Sequence, residues 1–241
     1  SLGDHVSLES HIFCGTCRPC RLGRAHLCNN TTYPGIDIDG AFAEYVTVPS
    51  MIAWKNPSNL PHETAAMLEP FGIGVHACLE GTGVSGQSVL INGCGPIGLM
   101  TVAVARVLGA SLIIASDLNP LRLKTAELMG ADRSVKADAE DLSKIVSDMT
   151  RGDGVDVGIE FSGSEEGFRA VFEGLGKGGD FRLVGAPPEA IPIDFTWWLL
   201  KCPRMINIHG RRIWDTWQRS TDLIYSGAVD LNPIQSHTLP L

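Results

Sequence analysis

No apolar run in this sequence comes near the ~20 residues that a membrane-spanning helix needs. The opening Ser1-Leu2-Gly3-Asp4 also lacks the basic and apolar regions of a signal peptide. The chain therefore reads as non-membrane and cytoplasmic. A polybasic run is missing too: 19 Lys and Arg stand against 27 Asp and Glu, a net charge of -8. Without such a run nothing tracks a phosphate backbone, so nucleic acid is excluded as a partner. There is no internal repeat and no initiator methionine. Gly3-Asp4-His5-Val6 reads as a turn into a strand already under way, and Thr238-Leu239-Pro240-Leu241 stops in an extended segment. The expectation is a fragment cut at both ends. With 241 residues and 44% hydrophobic content, the chain can still bury the core of one large or two modest domains.

Of seven cysteines, four fall in one window at Cys14, Cys17, Cys20 and Cys28. Four soft ligands in one polar loop are enough to close a tetrahedral zinc site. A closed site has no open position for water or substrate, so its role is structural. An iron–sulfur cluster is the rival. Its bacterial run has three residues before the fourth Cys, whereas seven separate Cys20 from Cys28 here. Unligated thiols are the third reading. Cys78, Cys94 and Cys202 sit among apolar neighbours and read as packing residues.

Up to about Trp54 the texture is short strands and loops, with Ala43 to Val48 as a weakly alternating strand. From Glu63 to Leu79 the spacing predicts a helix interrupted by Pro70 and Gly72, a domain junction. From Ser88 apolar strands alternate with amphipathic helices. The strands are Val89-Leu90-Ile91, Leu112 to Ala115, Val155 to Phe161, Phe181 to Val184 and Ile206 to His209. The helices are Ile97 to Leu108, Pro120 to Met129 and Glu165 to Leu175. Near-continuous apolar strands predict an α/β fold with a doubly wound parallel sheet of the Rossmann type.

Gly93-Cys94-Gly95-Pro96-Ile97-Gly98 is a G-x-G-x-x-G run between a predicted strand and a predicted helix. Gly93 permits the tight turn, Gly95 lets the backbone approach a pyrophosphate, and Gly98 lets the helix pack on its strand. Asp117, 19 residues after Gly98, ends the second strand, where a carboxylate accepts from a ribose and repels a 2′-phosphate. NAD is thus favoured over NADP. Arg122 nearby could accommodate a phosphate, pair with Asp117 or cover the adenine.

A four-Cys lobe followed by this fingerprint resembles the zinc-containing medium-chain dehydrogenase family. Its members join a β-rich GroES-like catalytic domain with a structural zinc lobe to a Rossmann domain. Gly40-Ala41-Phe42-Ala43-Glu44-Tyr45, Glu69-Pro70-Phe71-Gly72, Gly210-Arg211-Arg212-Ile213-Trp214-Asp215-Thr216-Trp217 and Ser236-His237 resemble the threonine-oxidising branch of that family. Ile73-Gly74 departs from that branch's usual Asn-Ala. The resemblance implies three parts: residues 1–68 as part of the GroES-like domain, 69–212 as the NAD-binding domain, and 213–241 returning towards the first. It implies NAD held by Gly93, Gly95, Ile97, Gly98, Asp117 and Arg122, with Val184, Gly185, Ala186, Ile208 and His209 on the nicotinamide side. It places His11 near the substrate, Glu69 beside a catalytic zinc as transient ligand or proton relay, and Arg211 on a substrate carboxylate, with Arg212 as the alternative. The implied reaction is oxidation of the 3-hydroxyl of L-threonine to 2-amino-3-ketobutyrate. Zinc would stabilise the alkoxide, hydride would pass to NAD, and the enzyme would be a homotetramer. The family's catalytic zinc ligands, a Cys, a His and a Glu in a Gly-His-Glu stretch, do not occur in these residues. A polyol or secondary-alcohol dehydrogenase and a non-catalytic NAD-binding protein remain as alternatives.

Overall fold

The computed structural model describes residues 1–239. The first part holds β1 (Val6–Leu8), a short helix α1 (Arg18–Arg21) in the cysteine loop, β2 (Ala53–Lys55) and the long helix α2 (His62–Leu79). Alternation then sets in with β3 (Ser88–Asn92), α3 (Pro96–Val107), β4 (Leu112–Asp117), α4 (Pro120–Leu128), β5 (Arg133–Lys136) and α5 (Leu142–Met149). It continues through β6 (Val155–Glu160), α6 (Glu165–Gly174), β7 (Leu175–Leu183), α7 (Phe195–Lys201), β8 (Arg204–Asn207) and α8 (Asp215–Tyr225).

Strands β3 to β8 form one parallel sheet in the order β5-β4-β3-β6-β7-β8. Side chains of β3 alternate between two cores. Val89 and Ile91 pack with Phe71, Val75 and Met100 on one face, and Leu90 packs with Phe168, Phe172 and Phe181 on the other. Burial on both faces is why these strands read as unbroken apolar runs. The helices begin where side chains can satisfy free amides: Asn119 caps α4, Asp141 caps α5 and Ser164 caps α6. The strand order reverses between β3 and β6, and a crevice opens at the carboxyl ends of those two strands. Among the described residues no helix is long and apolar enough to cross a membrane.

Several expectations need correction. Pro70 does not interrupt α2, which runs unbroken from His62 to Leu79. A proline removes one donor and strains one turn, and burial of Leu68, Phe71 and Val75 outweighs that. Ala43 to Val48 forms no strand. A strand needs a neighbour for its backbone groups, and the small sheet of the first part contains only β1 and β2. Cys202 is exposed rather than packed, because it ends α7 in a left-handed conformation (φ 52°) that turns the chain outward. The last strand is Arg204–Asn207 and stops before Ile208 and His209, which lie just beyond its end.

Gly72 has a packing role. A Cβ there would lie 2.7 Å from Cδ and 2.8 Å from Cγ of Arg211, whose buried side chain crosses α2 at this point. Overpacking a tight crossing costs about 1–3 kcal/mol. Gly72→Ala is therefore expected to lower the stability read from thermal or urea unfolding by that amount; an unchanged midpoint would show that Arg211 can move aside.

Candidate active site

The fingerprint glycines lie where the strand order reverses. Gly93 has φ +92°, and a Cβ on it would come within 2.9 Å of the Ser162 amide just beyond β6. Gly98 presses on β3 so closely that a Cβ would meet the Gly93 carbonyl at 2.0 Å. Gly95 differs: nothing lies within 4 Å of where its Cβ would be. That open space, at the N-terminus of the twelve-residue helix α3, suits a phosphate facing free amides and the positive end of the helix dipole. The crevice has a volume of about 1200 Å³ and is lined by Gly93, Gly95, Ile97, Gly98, Asp117, Arg122, Val184 and Gly185, among others.

Asp117 is held by both oxygens. One accepts from the Cys94 amide and the other from the Asn119 amide, each at 2.7 Å, and Arg122 Nη1 stands 3.7 Å away. Each carboxylate oxygen keeps acceptor capacity for a ribose hydroxyl. Ala186, Ile208 and His209 do not line this crevice. Ala186 packs its backbone against Gly163, and Ile208 is buried in the core. His209 opens into a different, polar cavity of about 580 Å³ with His26, His76, Glu80 and Arg212.

Sequence reasoning passed over Glu160, which is fully buried at the end of β6. It accepts from the amides of Ser162 and Gly163, from Ser162 Oγ and from Asn92 Nδ2, and so shapes the crevice wall. A charged residue ending an apolar strand was the available signal.

Arg211 is 1% exposed, and its guanidinium is closed in by the protein's own side chains. Its Nε and Nη2 donate to Glu9, Nη2 also donates to Ser10 Oγ at 3.0 Å, and Nη1 pairs with Glu69 at 2.8 Å. The expected role on a substrate carboxylate is thus corrected: this fork is already engaged by the protein. Glu69 is a quarter exposed and ion-paired to Arg211. Arg212 turns the other way and donates to Glu80, which also takes His76 Nε2 at 3.1 Å. Glu9 was not anticipated. It is fully buried and receives, besides Arg211, Trp217 Nε1 at 2.7 Å and both the amide and Nδ1 of His11. Burial pushes its carboxyl up, but hydrogen bonds from Arg211 and His11, the guanidinium charge and Trp217 outweigh that and hold it at about 2.

The four loop cysteines converge, their sulfurs all within 4.8 Å of one another. Four sulfurs at the usual zinc–sulfur length of ~2.3 Å form a tetrahedron with edges of ~3.8 Å. The contacts Cys17–Cys20, Cys28–Cys14 and Cys17–Cys28 measure 3.4, 3.5 and 3.8 Å. The amides of Cys14, Cys17 and Asn30 each donate to a sulfur at 3.3 Å. Hydrogen bonds from Thr16, Cys17 and Asn30 hold the Cys14 thiol down at about 5, while burial, Cys17 and Cys28 push Cys20 up to about 12. The set fits one divalent cation that takes thiolates. Among the described residues it is the one group of three or more His, Cys, Asp or Glu side chains placed to hold a metal.

Residues 96–226 match the family model of zinc-binding dehydrogenases, and residues 1–58 match that of the alcohol dehydrogenase GroES-like domain. The chain belongs to the zinc-binding dehydrogenase family. An L-threonine 3-dehydrogenase of Alteromonas mediterranea is 41% identical to this dehydrogenase over 240 residues, covering 100% of this chain and 70% of that protein. Among solved structures, an alcohol dehydrogenase from Thermus sp. ATN1 superposes with a TM-score of 0.91 at 31% identity, covering 98% of this chain and 72% of that one. A Sinorhizobium meliloti protein, described as a putative zinc-binding dehydrogenase and solved with NADP bound, gives 0.86 at 31% identity, covering 95% and 67%.

For this dehydrogenase the cysteine lobe yields a direct test. One zinc per chain is expected by metal analysis, and chelation or Cys14→Ser should lower the unfolding midpoint. An iron–sulfur absorbance band, or a midpoint indifferent to chelation, would sink the assignment.

Proposed function

We propose that the full-length enzyme oxidises the 3-hydroxyl of L-threonine to 2-amino-3-ketobutyrate with NAD. The substrate reading is carried by identity that runs along the whole chain to proteins named L-threonine 3-dehydrogenase, at 41% over 240 residues in one case and 43% over 237 in another. The coenzyme reading is carried by Asp117, anchored at the lip of the crevice with acceptor capacity to spare. Bound NAD would supply the hydride acceptor. In this reading α3 receives the pyrophosphate at its N-terminus, Asp117 takes the adenosine ribose, and Val184 and Gly185 border the nicotinamide. His11 and Glu69 stand on the substrate side, Glu69 held by Arg211. Besides the cysteine lobe, the described residues assemble no second metal group.

The saturation of Arg211 favours a second reading, a polyol or secondary alcohol that needs no cation for a carboxylate. We further propose that residues 1–68 and 213–241 serve the substrate side while 69–212 carry the coenzyme, in a cytoplasmic homotetramer. Two features support the assembly. Among the described residues β8 is hydrogen-bonded only to β7 in the sheet, which leaves one edge free, and α7, packed on β7, exposes Phe195, Leu199 and Leu200. Seven free cysteines suit a reducing compartment.

The test uses the full-length, zinc-loaded protein. NAD reduction is expected with L-threonine; efficient turnover of sorbitol or 2,3-butanediol without L-threonine would support the second reading instead. A charge-assisted contact is worth about 1.5–3 kcal/mol, so Asp117→Ala should weaken NAD binding about ten- to a hundredfold and erode the preference over NADP. An unchanged preference would remove Asp117 from that role. Light scattering in solution should give four subunits, and a monomer would refute the assembly.

A further inference from the structure

His11 presents Nδ1 to three neighbours: Glu9 Oε1 at 2.7 Å, Arg211 Nη2 at 2.9 Å and Ser10 Oγ at 3.3 Å. Hydrogen counting decides between them. Arg211 Nη2 carries two hydrogens, and Glu9 Oε1 and Ser10 Oγ take them, so none is left for His11. A carboxylate oxygen has none to give. The 2.7 Å contact with Glu9 therefore needs the proton on Nδ1, and a neutral ring then bears its lone pair on Nε2. Nε2 lies on the side of Gly210, where a Cβ would stand 3.3 Å away, and the ring meets Tyr33 and His209 edge-on at centroid distances of 5.0 and 6.0 Å. His209 borders the polar cavity that it lines with His26, His76, Glu80 and Arg212.

We infer that Glu9 is a positioning residue for the reaction, which fixes the tautomer and direction of His11 so that Nε2 offers a proton acceptor on the substrate side. The inference rests on the dehydrogenase reading for what the lone pair serves, though not for where it lies. Glu9 itself is buried and touches no substrate. Its five contacts divide the work. The amide and Nδ1 of His11 fix the ring, Arg211 through two nitrogens fixes the carboxylate, and Trp217 Nε1 closes the remaining lone-pair direction. The logic is that of the carboxylate in a hydrolase triad, which holds an imidazole in one tautomer without itself taking the proton. Here the carboxyl, held at about 2, stays an anion at neutral pH.

Two measurements on the full-length, zinc-loaded enzyme test it. In ¹⁵N–¹H long-range spectra, neutral His11 should show a protonated Nδ1 and an unprotonated Nε2; the opposite tautomer overturns the inference. Glu9→Gln should lower kcat on the oxidised substrate roughly a hundredfold. It should change KM for NAD by less than about twofold, and adding His11→Gln should cost little more, since the two changes remove one function. Trp217→Phe removes another hydrogen bond of Glu9 without touching His11, and should leave the tautomer in place and cost far less in kcat than Glu9→Gln. Equal losses in Glu9→Gln and Trp217→Phe, or fully additive losses in the double variant, would show a merely structural carboxylate and overturn the inference. Should the wild-type enzyme oxidise neither L-threonine nor a polyol, the functional reading fails, and the tautomer spectrum still decides the placement of the proton.

Discussion

Glu9 and Arg211 stand 202 positions apart in the chain and meet as an ion pair closed to solvent. Breaking such a pair by removing one partner leaves a bare buried charge, at a cost of about 3–5 kcal/mol. The pair thus acts as a selector: arrangements that leave β1 away from the segment after β8 strand a charge on each side. Packing joins in at the same place. Trp217 donates to Glu9 and stacks on Trp54 of β2 at 5.7 Å, and Trp214 stacks on the same ring at 5.8 Å. The metal-binding part is therefore fixed to the end of the chain, with α2 between them.

The fixing extends along α2. Arg211 reaches Glu69, His76 donates through Nδ1 to the Gly210 carbonyl at 2.8 Å, and Arg212 reaches Glu80. Three consecutive residues thereby grip one helix at points spread over three turns. Ile208 and His209 immediately precede the grip and lie just beyond β8. Trp214, with φ 71°, shows that the backbone accepts an unfavourable conformation to start α8 where these contacts require it.

What could be read in the sequence follows the range of the forces involved. The strands β3, β4 and β6 and the helices α3, α4 and α6 have local signals, apolar runs and caps, and lie close to where the pattern puts them. The fingerprint glycines and the four cysteines are legible for the same reason, since each motif closes within one loop. β5 escaped notice because Arg133–Lys136 has only two inward residues between charged ends. α8 escaped because its apolar face consists largely of Thr216, Trp217, Ser220 and Thr221, which look polar until Arg211 and Trp54 are placed against them. The misreading of Arg211 is of the same kind. An arginine beside a substrate motif suggests a free cation, and its partners lie 142 to 202 positions away, where no local pattern can announce them.

A substrate carboxylate could in principle displace Glu9 and take Arg211 for itself, and magnitudes decide against it. The new contact would be worth about 1.5–3 kcal/mol. It would leave Glu9 buried with its cation withdrawn, at about 3–5 kcal/mol, before any cost of moving a guanidinium wedged over Gly72. Exchange is therefore uphill. Glu69 is in a different position: it is a quarter exposed and shares the guanidinium only through Nη1, so a ligand can draw it away while Glu9 keeps Nε and Nη2. The asymmetry assigns the two carboxylates opposite tasks on one arginine. Glu9 holds it in place, and Glu69 is the partner that keeps access to solvent.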